Sequence, residues 1–134
     1  MARTMAKSSN KKKKGREAEA LSYPLRVGCV DMGSNAIRFL AVEYSEEGRY
    51  TTLAGERCPV RLGHSVFLSG VLDKQAMDEA VAALVDFKAQ MKAFDIEHCR
   101  AVATSAVRES KNRDDFIRRI RKEAGLELEM ISGR

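Results

Sequence analysis

The chain has 134 residues, 44% hydrophobic and 32% charged, with three Cys and no Trp. That is enough for one soluble mixed α/β domain with an aliphatic core, and too little for two domains of usual size. The net charge of +5 comes from one end. Residues 1 to 26 hold eight Lys/Arg against two Glu, leaving sixteen basic and seventeen acidic residues beyond, so the pI of about 9.3 describes a tail and does not mark the fold as a nucleic-acid binder.

Met1 to about Pro24 is polar, includes the run Lys11 to Lys14, and lacks spaced apolar anchors. It is expected to be a disordered basic tail, residues 1–24. No aromatic interleaves the Lys run to stack bases, which argues against nucleic acid as its partner. No apolar h-region follows the N-terminal lysines and no run of about 18 apolar residues occurs, so neither secretion nor a membrane partner is expected. Cys29, Cys58 and Cys99 are far apart and form no C-x-x-C, which suggests neither a disulfide framework nor a zinc site and fits a cytoplasmic location.

From Arg26 the pattern changes. Val27, Cys29 and Val30 form a short apolar run ending at Asp31 and the turn residues Gly33, Ser34 and Asn35. Ile37 to Tyr44 reads as a second strand, Glu46 to Gly48 as a hairpin turn, and Tyr50 to Val60 as a third strand, together an antiparallel meander. Leu62 to Leu72 carries two glycines without a clear period and reads as a loop. Asp73 is a candidate N-cap for a long helix whose apolar face comprises Met77, Ala80, Val81, Leu84, Phe87, Met91 and Phe94. Cys99 to Ala103 is a brief strand. A second helix starts near Asn112, with Asp114 and Asp115 in its first turn, and stops at Gly125. Leu126 to Ile131 is the last strand. The expected order is β-β-β-α-β-α-β in a mixed sheet, with right-handed crossovers where helices join parallel strands.

Two segments carry chemistry. Val27 to Arg38 reads V-G-C-V-D-M-G-S-N-A-I-R. Gly33 permits close backbone approach, turn N–H groups with Ser34 and Asn35 supply donors, and Arg38 offers a charged fork to phosphate oxygens. Asp31 is suited to orient a metal ion or its waters beside an anion. A bare D-x-G-S is more often a plain hairpin turn. The second segment, Ala101 to Ser110, reads A-V-A-T-S-A-V-R-E-S. It places Thr104, Ser105 and Arg108 at a strand-to-helix turn, where open α/β sheets bind ligands. Taken alone, Thr104 and Ser105 serve equally well as caps and Arg108 as a surface charge.

D-x-G-S-N-x-x-R, then R-L-G at Arg61 to Gly63, A-T-S-A-V-R-E-S, and I-S-G at Ile131 to Gly133 stand in one order. In this the chain resembles the exopolyphosphatase/guanosine pentaphosphate phosphatase (Ppx/GppA) family from about Val27 to Arg134. The resemblance implies a ribonuclease H-like half-domain of the actin-like ATPase superfamily, and hydrolysis of terminal phosphoanhydrides of polyphosphate or guanosine pentaphosphate with magnesium. It further implies that Asp31, Gly33, Ser34, Asn35, Arg38, Thr104, Ser105 and Arg108 hold phosphate, with Asp31 also at the metal. Arg61 is a weaker candidate.

In the family the Glu that acts as base follows I-S-G, and then come a helix covering the sheet and a second domain. By that comparison residues 25–134 are the N-terminal part of such a domain, lacking the last helix, the second domain and any assigned catalytic residue. Three expectations follow: little activity in isolation, an uncovered apolar sheet face, and dependence on a partner such as the C-terminal half or a second copy. A non-catalytic module that binds polyphosphate or a guanosine alarmone is the alternative.

Overall fold

Apolar residues alternate along the first strand because one face of it meets a helix and the other does not. In the computed structural model, which describes residues 22–132, β1 (Leu25–Met32) buries Val30 and Met32 and exposes Cys29 and Asp31. β2 (Ile37–Glu46) buries Ile37, Phe39 and Ala41 on the same side and exposes Arg38 and Leu40. β3 (Arg49–Cys58) follows after a turn at Glu47 and Gly48, where Gly48 takes φ 79°, a conformation that favours glycine. The tail expected over residues 1–24 falls almost wholly outside the described residues, as does Gly133 of the I-S-G segment.

The segment expected to be a loop is a helix, α1 (Leu62–Ser69), ended by Gly70 in the left-handed region. Leu62 and Val66, one turn apart, are both buried in the core, and this anchoring outweighs the low helix propensity of Gly63. The signal was hidden because Arg61 stands at the N-cap without a side-chain bond, and because Phe67 and Leu68 are exposed, which blurs the apolar stripe.

α2 (Lys74–Ala93) begins as expected at Asp73, whose Oδ1 accepts from the Ala76 N–H at 2.7 Å. It lays Ala80, Val81, Leu84, Phe87 and Met91 on the sheet. Phe87 stacks on Phe39 with ring centroids 5.0 Å apart. β4 (His98–Ala103) leads into a single-turn helix, α3 (Ser105–Arg108), then α4 (Arg113–Ala124) and β5 (Leu128–Met130). Asn112 does precede α4, but its side chain makes no cap bond there. Its Oδ1 accepts from the Leu72 N–H and its Nδ2 donates to the Leu72 carbonyl, both at 2.9 Å, so it ties the start of α4 to the entry of α2.

The sheet order is β3-β2-β1-β4-β5. The meander is antiparallel, and β4 and β5 join parallel. The sheet is therefore mixed, as expected, with α1 and α3 interpolated into the predicted order. The register places Arg57, Arg38, Asp31, Val102 and Glu129 in one row across all five strands. Since Arg38 and Asp31 alternate with the buried residues of their strands, this row lies on the face away from α2.

Candidate functional site

The site is built where β1 and β4 end together. Met32 closes β1 opposite Ile37, and the chain turns through Gly33, Ser34, Asn35 and Ala36. The Gly33 N–H donates to the Ala36 carbonyl at 3.0 Å, so that donor is used inside the turn. Those of Ser34 and Asn35 meet no acceptor among the described residues and remain free for a ligand. Gly33 is not among the glycines with positive φ. A Cβ added there would stand 3.4 Å from the Ala36 carbonyl oxygen, an ordinary contact distance, so neither backbone conformation nor packing within the chain demands glycine, and its use is the close approach it leaves open to a ligand.

β4 reaches the same end because Ala103 pairs with Met32 and the Thr104 N–H donates to the Met32 carbonyl at 3.4 Å. Thr104, Ser105 and Arg108 thus leave the strand adjacent to the one from which Gly33, Ser34 and Asn35 depart. The first turn of α1 packs on the β1–β2 turn through the Gly63 N–H, which donates to the Ser34 carbonyl at 2.8 Å. At its other end α1 meets the segment after α3, where the Lys111 N–H donates to the Gly70 carbonyl at 2.8 Å. One short helix therefore braces both segments.

Asp31 and Arg38 are direct cross-strand partners at the mouth of the turn. Both are exposed. Neither forms a salt bridge among the described residues. Arg108 differs. Its Nη1 donates to the Ile131 carbonyl at 2.7 Å and its Nη2 to Glu109 Oε2 at 3.2 Å, so part of its fork holds the strand exit beyond β5. The Ile131 N–H in turn donates to the Ala103 carbonyl at 3.0 Å, which brings that exit beside the β4–α3 turn. A guanidinium has five donors, so Arg108 can brace the backbone and still offer N–H groups to an anion.

Thr104 occupies the N-cap of α3 without a side-chain cap bond, so the hydroxyls of Thr104 and Ser105 are half-buried at the turn and not engaged as caps. Ser110 is the one polar member of its segment that is buried, with its Oγ donating to the Val107 carbonyl at 2.8 Å. Its role is structural. Glu129 lies in the Asp31 row, but Arg100 grips it through Nη2 at 2.7 Å and Nε at 3.2 Å. Those hydrogen bonds hold the Glu129 carboxyl below its ordinary value. Its acceptors are occupied, in keeping with leaving it out of the candidate site.

Sequence reasoning missed Gly63 as a contact of the turn. A Cβ there would meet Ser34 Cβ at 2.9 Å, a packing need that the R-L-G motif signals only in retrospect. Among the described residues, no group of three or more His, Cys, Asp or Glu gathers to hold a metal. Asp31 stands as a single exposed carboxylate.

The chain matches the Ppx/GppA phosphatase family over residues 41–134, a span that holds Thr104, Ser105 and Arg108 and begins after Arg38. It is 33% identical over 109 residues to exopolyphosphatase 1 of Mycobacterium leprae, covering 81% of this chain and 32% of that protein. To exopolyphosphatase 1 of Mycobacterium tuberculosis it is 31% identical over the same length. Among solved structures it resembles the Ppx/GppA family member of Aquifex aeolicus, with TM-score 0.76 and 30% identity over 81% of this chain and 35% of the other. An exopolyphosphatase from Cytophaga hutchinsonii is similar at TM-score 0.76 and 34% identity, covering 81% of this chain and 34% of that one. The chain thus spans about a third of the length of these relatives.

Proposed function

The chain belongs to the Ppx/GppA phosphatase family, and from that premise we propose that it carries the phosphate-gripping part of a phosphoanhydride hydrolase acting on polyphosphate or a guanosine polyphosphate. The observation that carries this reading is the common end of β1 and β4. Pairing of Met32 with Ala103 brings the Asp31 to Arg38 turn and the Thr104 to Arg108 turn side by side.

Release of a terminal phosphate requires neutralisation of charge on the transferred group and an oriented water in line with the leaving oxygen. The residues here supply the first. Free N–H groups of Ser34 and Asn35, the hydroxyls of Ser34, Thr104 and Ser105, and the guanidinium groups of Arg38 and Arg108 are donors suited to phosphate oxygens. No carboxylate of the described residues is assigned as base to the water. Asp31 opposes Arg38, and the other carboxylate of that row, Glu129, is held by Arg100.

Magnesium is compatible with this donor set, because it takes one or two protein carboxylates and completes its shell with substrate phosphates and water. Asp31 would hold it, and the ion would add positive charge beside the phosphates. Binding and turnover are separable by experiment. Titration with tripolyphosphate, in parallel with an assay of orthophosphate release from long-chain polyphosphate, should show binding that Arg38→Ala weakens by about tenfold, the worth of one charge-assisted contact. Unaltered binding in that variant overturns the reading.

The second reading is a binding module without hydrolysis, and the observation that favours it is the pair of Arg100 hydrogen bonds that occupy Glu129. It predicts the same titration with no orthophosphate released.

A further inference from the structure

We propose that Arg57, on the edge strand β3, is a second anion-gripping residue working beside Arg38; this rests on the phosphate-binding reading of the turn and extends it to a substrate with consecutive phosphates. Arg57 and Arg38 are direct cross-strand partners in the β2–β3 register, and Arg38 is in turn the partner of Asp31. All three are exposed on the sheet face away from α2. Directly opposed like charges destabilise a strand pair. Asp31 offsets part of the charge of Arg38 from the other side, but among the described residues neither arginine takes part in a salt bridge or a side-chain hydrogen bond, and no carboxylate faces Arg57 across the sheet.

The nearest carboxylate in sequence, Glu56, is on the opposite face, where its Oε1 accepts from Gln90 Nε2 at 2.9 Å. Two guanidinium groups are therefore carried side by side, about one strand spacing of 4.8 Å apart at their backbones, next to a turn with free N–H groups. An anion between them would turn the repulsion into attraction. A chain of linked phosphates fits better than a single one, since the turn and Arg38 can take one phosphate while Arg57 takes the next. Charge on an edge strand also deters pairing with other sheets, but that role requires no particular register with Arg38.

The test titrates the full chain with tripolyphosphate and, separately, with orthophosphate at fixed ionic strength. The variants are Arg57→Ala, Arg57→Lys, Arg38→Ala and the control Arg49→Ala, which removes a cation at the far end of the same strand. Arg57→Ala is expected to weaken tripolyphosphate by about tenfold while changing orthophosphate by less than about twofold, with Arg57→Lys intermediate and Arg49→Ala near the parent. Guanosine triphosphate, which carries the same run of phosphates, should lose the same factor.

Without ligand, Arg57→Ala should melt no lower than the parent, because a repulsion has been removed. Equal loss in Arg57→Ala and Arg49→Ala would reduce the effect to net charge and overturn the proposal. So would an Arg57→Ala variant that changes only the oligomeric state, or one that loses affinity for tripolyphosphate but not for guanosine triphosphate. If Arg38→Ala binds like the parent, or the chain binds no tripolyphosphate, the phosphate reading of the turn fails and this extension with it. If Arg38→Ala weakens binding and Arg57→Ala does not, the extension alone fails.

Discussion

Gly63 and Ser34 are joined by a 2.8 Å hydrogen bond from the Gly63 N–H to the Ser34 carbonyl, and they are packed so closely that a Cβ on residue 63 would lie 2.9 Å from Ser34 Cβ and 3.1 Å from the Phe67 ring. The Phe67 side chain is exposed and can move aside. Ser34 Cβ is fixed to the backbone of the candidate phosphate turn. Gly63→Ala thus sets two effects against each other: about 1 kcal/mol gained in helix propensity, and about 1 to 3 kcal/mol lost to overpacking. Because the contact is with a backbone-anchored atom, the loss should prevail. Urea denaturation should show Gly63→Ala less stable than the parent, with weaker tripolyphosphate binding as the turn is displaced. A more stable variant that binds normally would disprove the bracing role given to α1.

Arg108 links the β4–α3 turn to the carbonyl of Ile131. A hydrogen bond from a charged group contributes about 1.5 to 3 kcal/mol when buried. With 28% of the Arg108 side chain accessible, solvent screening reduces this to about 1 kcal/mol. Arg108→Ala should therefore lower stability modestly and release the segment after β5, read as faster amide exchange at Ile131, whose N–H bonds the Ala103 carbonyl. Glu109→Gln removes only the ion pair and should leave exchange at Ile131 as in the parent. If Arg108→Ala weakens phosphate binding without altering that exchange, its backbone contact is dispensable.

The pH dependence has a definite sign. The hydrogen bond from Lys74 Nζ, and after it that from Arg119 Nη1, hold the Asp78 carboxyl below its ordinary value. A carboxyl with a depressed folded-state pKa stabilises the fold above its unfolded-state pKa of about 3.9, and this contribution is lost as pH falls through the folded-state value. Glu129, held by Arg100, behaves alike. Asp78→Asn should be less stable than the parent at neutral pH, and the gap should close as pH falls below about 4 and through the depressed folded-state value. Denaturation curves at several pH values check this, and a gap of constant size would place the effect outside titration.

What was legible in the sequence followed from periodicity and local chemistry. α2 could be read because Ala80, Val81, Leu84, Phe87 and Met91 recur on one face and Asp73 caps it. α1 could not, since its N-cap is Arg61, a glycine sits in its first turn, and two large apolar residues face outward. The candidate site was legible as two motifs, but their meeting depends on β4 inserting beside β1, a choice of tertiary pairing that no local pattern encodes. The Arg108 contact with a carbonyl 23 residues away and the diversion of Asn112 to Leu72 are of the same kind. The Arg38–Arg57 pairing lies between these cases. The register shifts at Tyr44/Glu46 and Ala41/Val42 offset each other, so counting back from the Glu46–Arg49 pair arrives at it.

The face that carries Asp31 and Arg38 also carries Leu40, which is 44% exposed, beside its partner Cys29, also exposed. An exposed Leu on its own is ordinary, but here it sits on a sheet surface that no described helix covers. Leu40 faces Gly55 on β3, and its Cδ1 leans over that residue, 3.7 Å from where a Cβ would stand. Leu40→Thr, which introduces the strand propensity of a β-branched residue and gives up only the covered part of a side chain that is already 44% exposed, should cost no more than about 1 kcal/mol. The same change should reduce binding of a hydrophobic dye and any concentration-dependent association, since the apolar area open to solvent shrinks. If Leu40→Thr instead costs about 2 kcal/mol or more, as for a buried Leu, then this face is covered in solution, and sedimentation analysis of the parent chain should reveal the association that covers it.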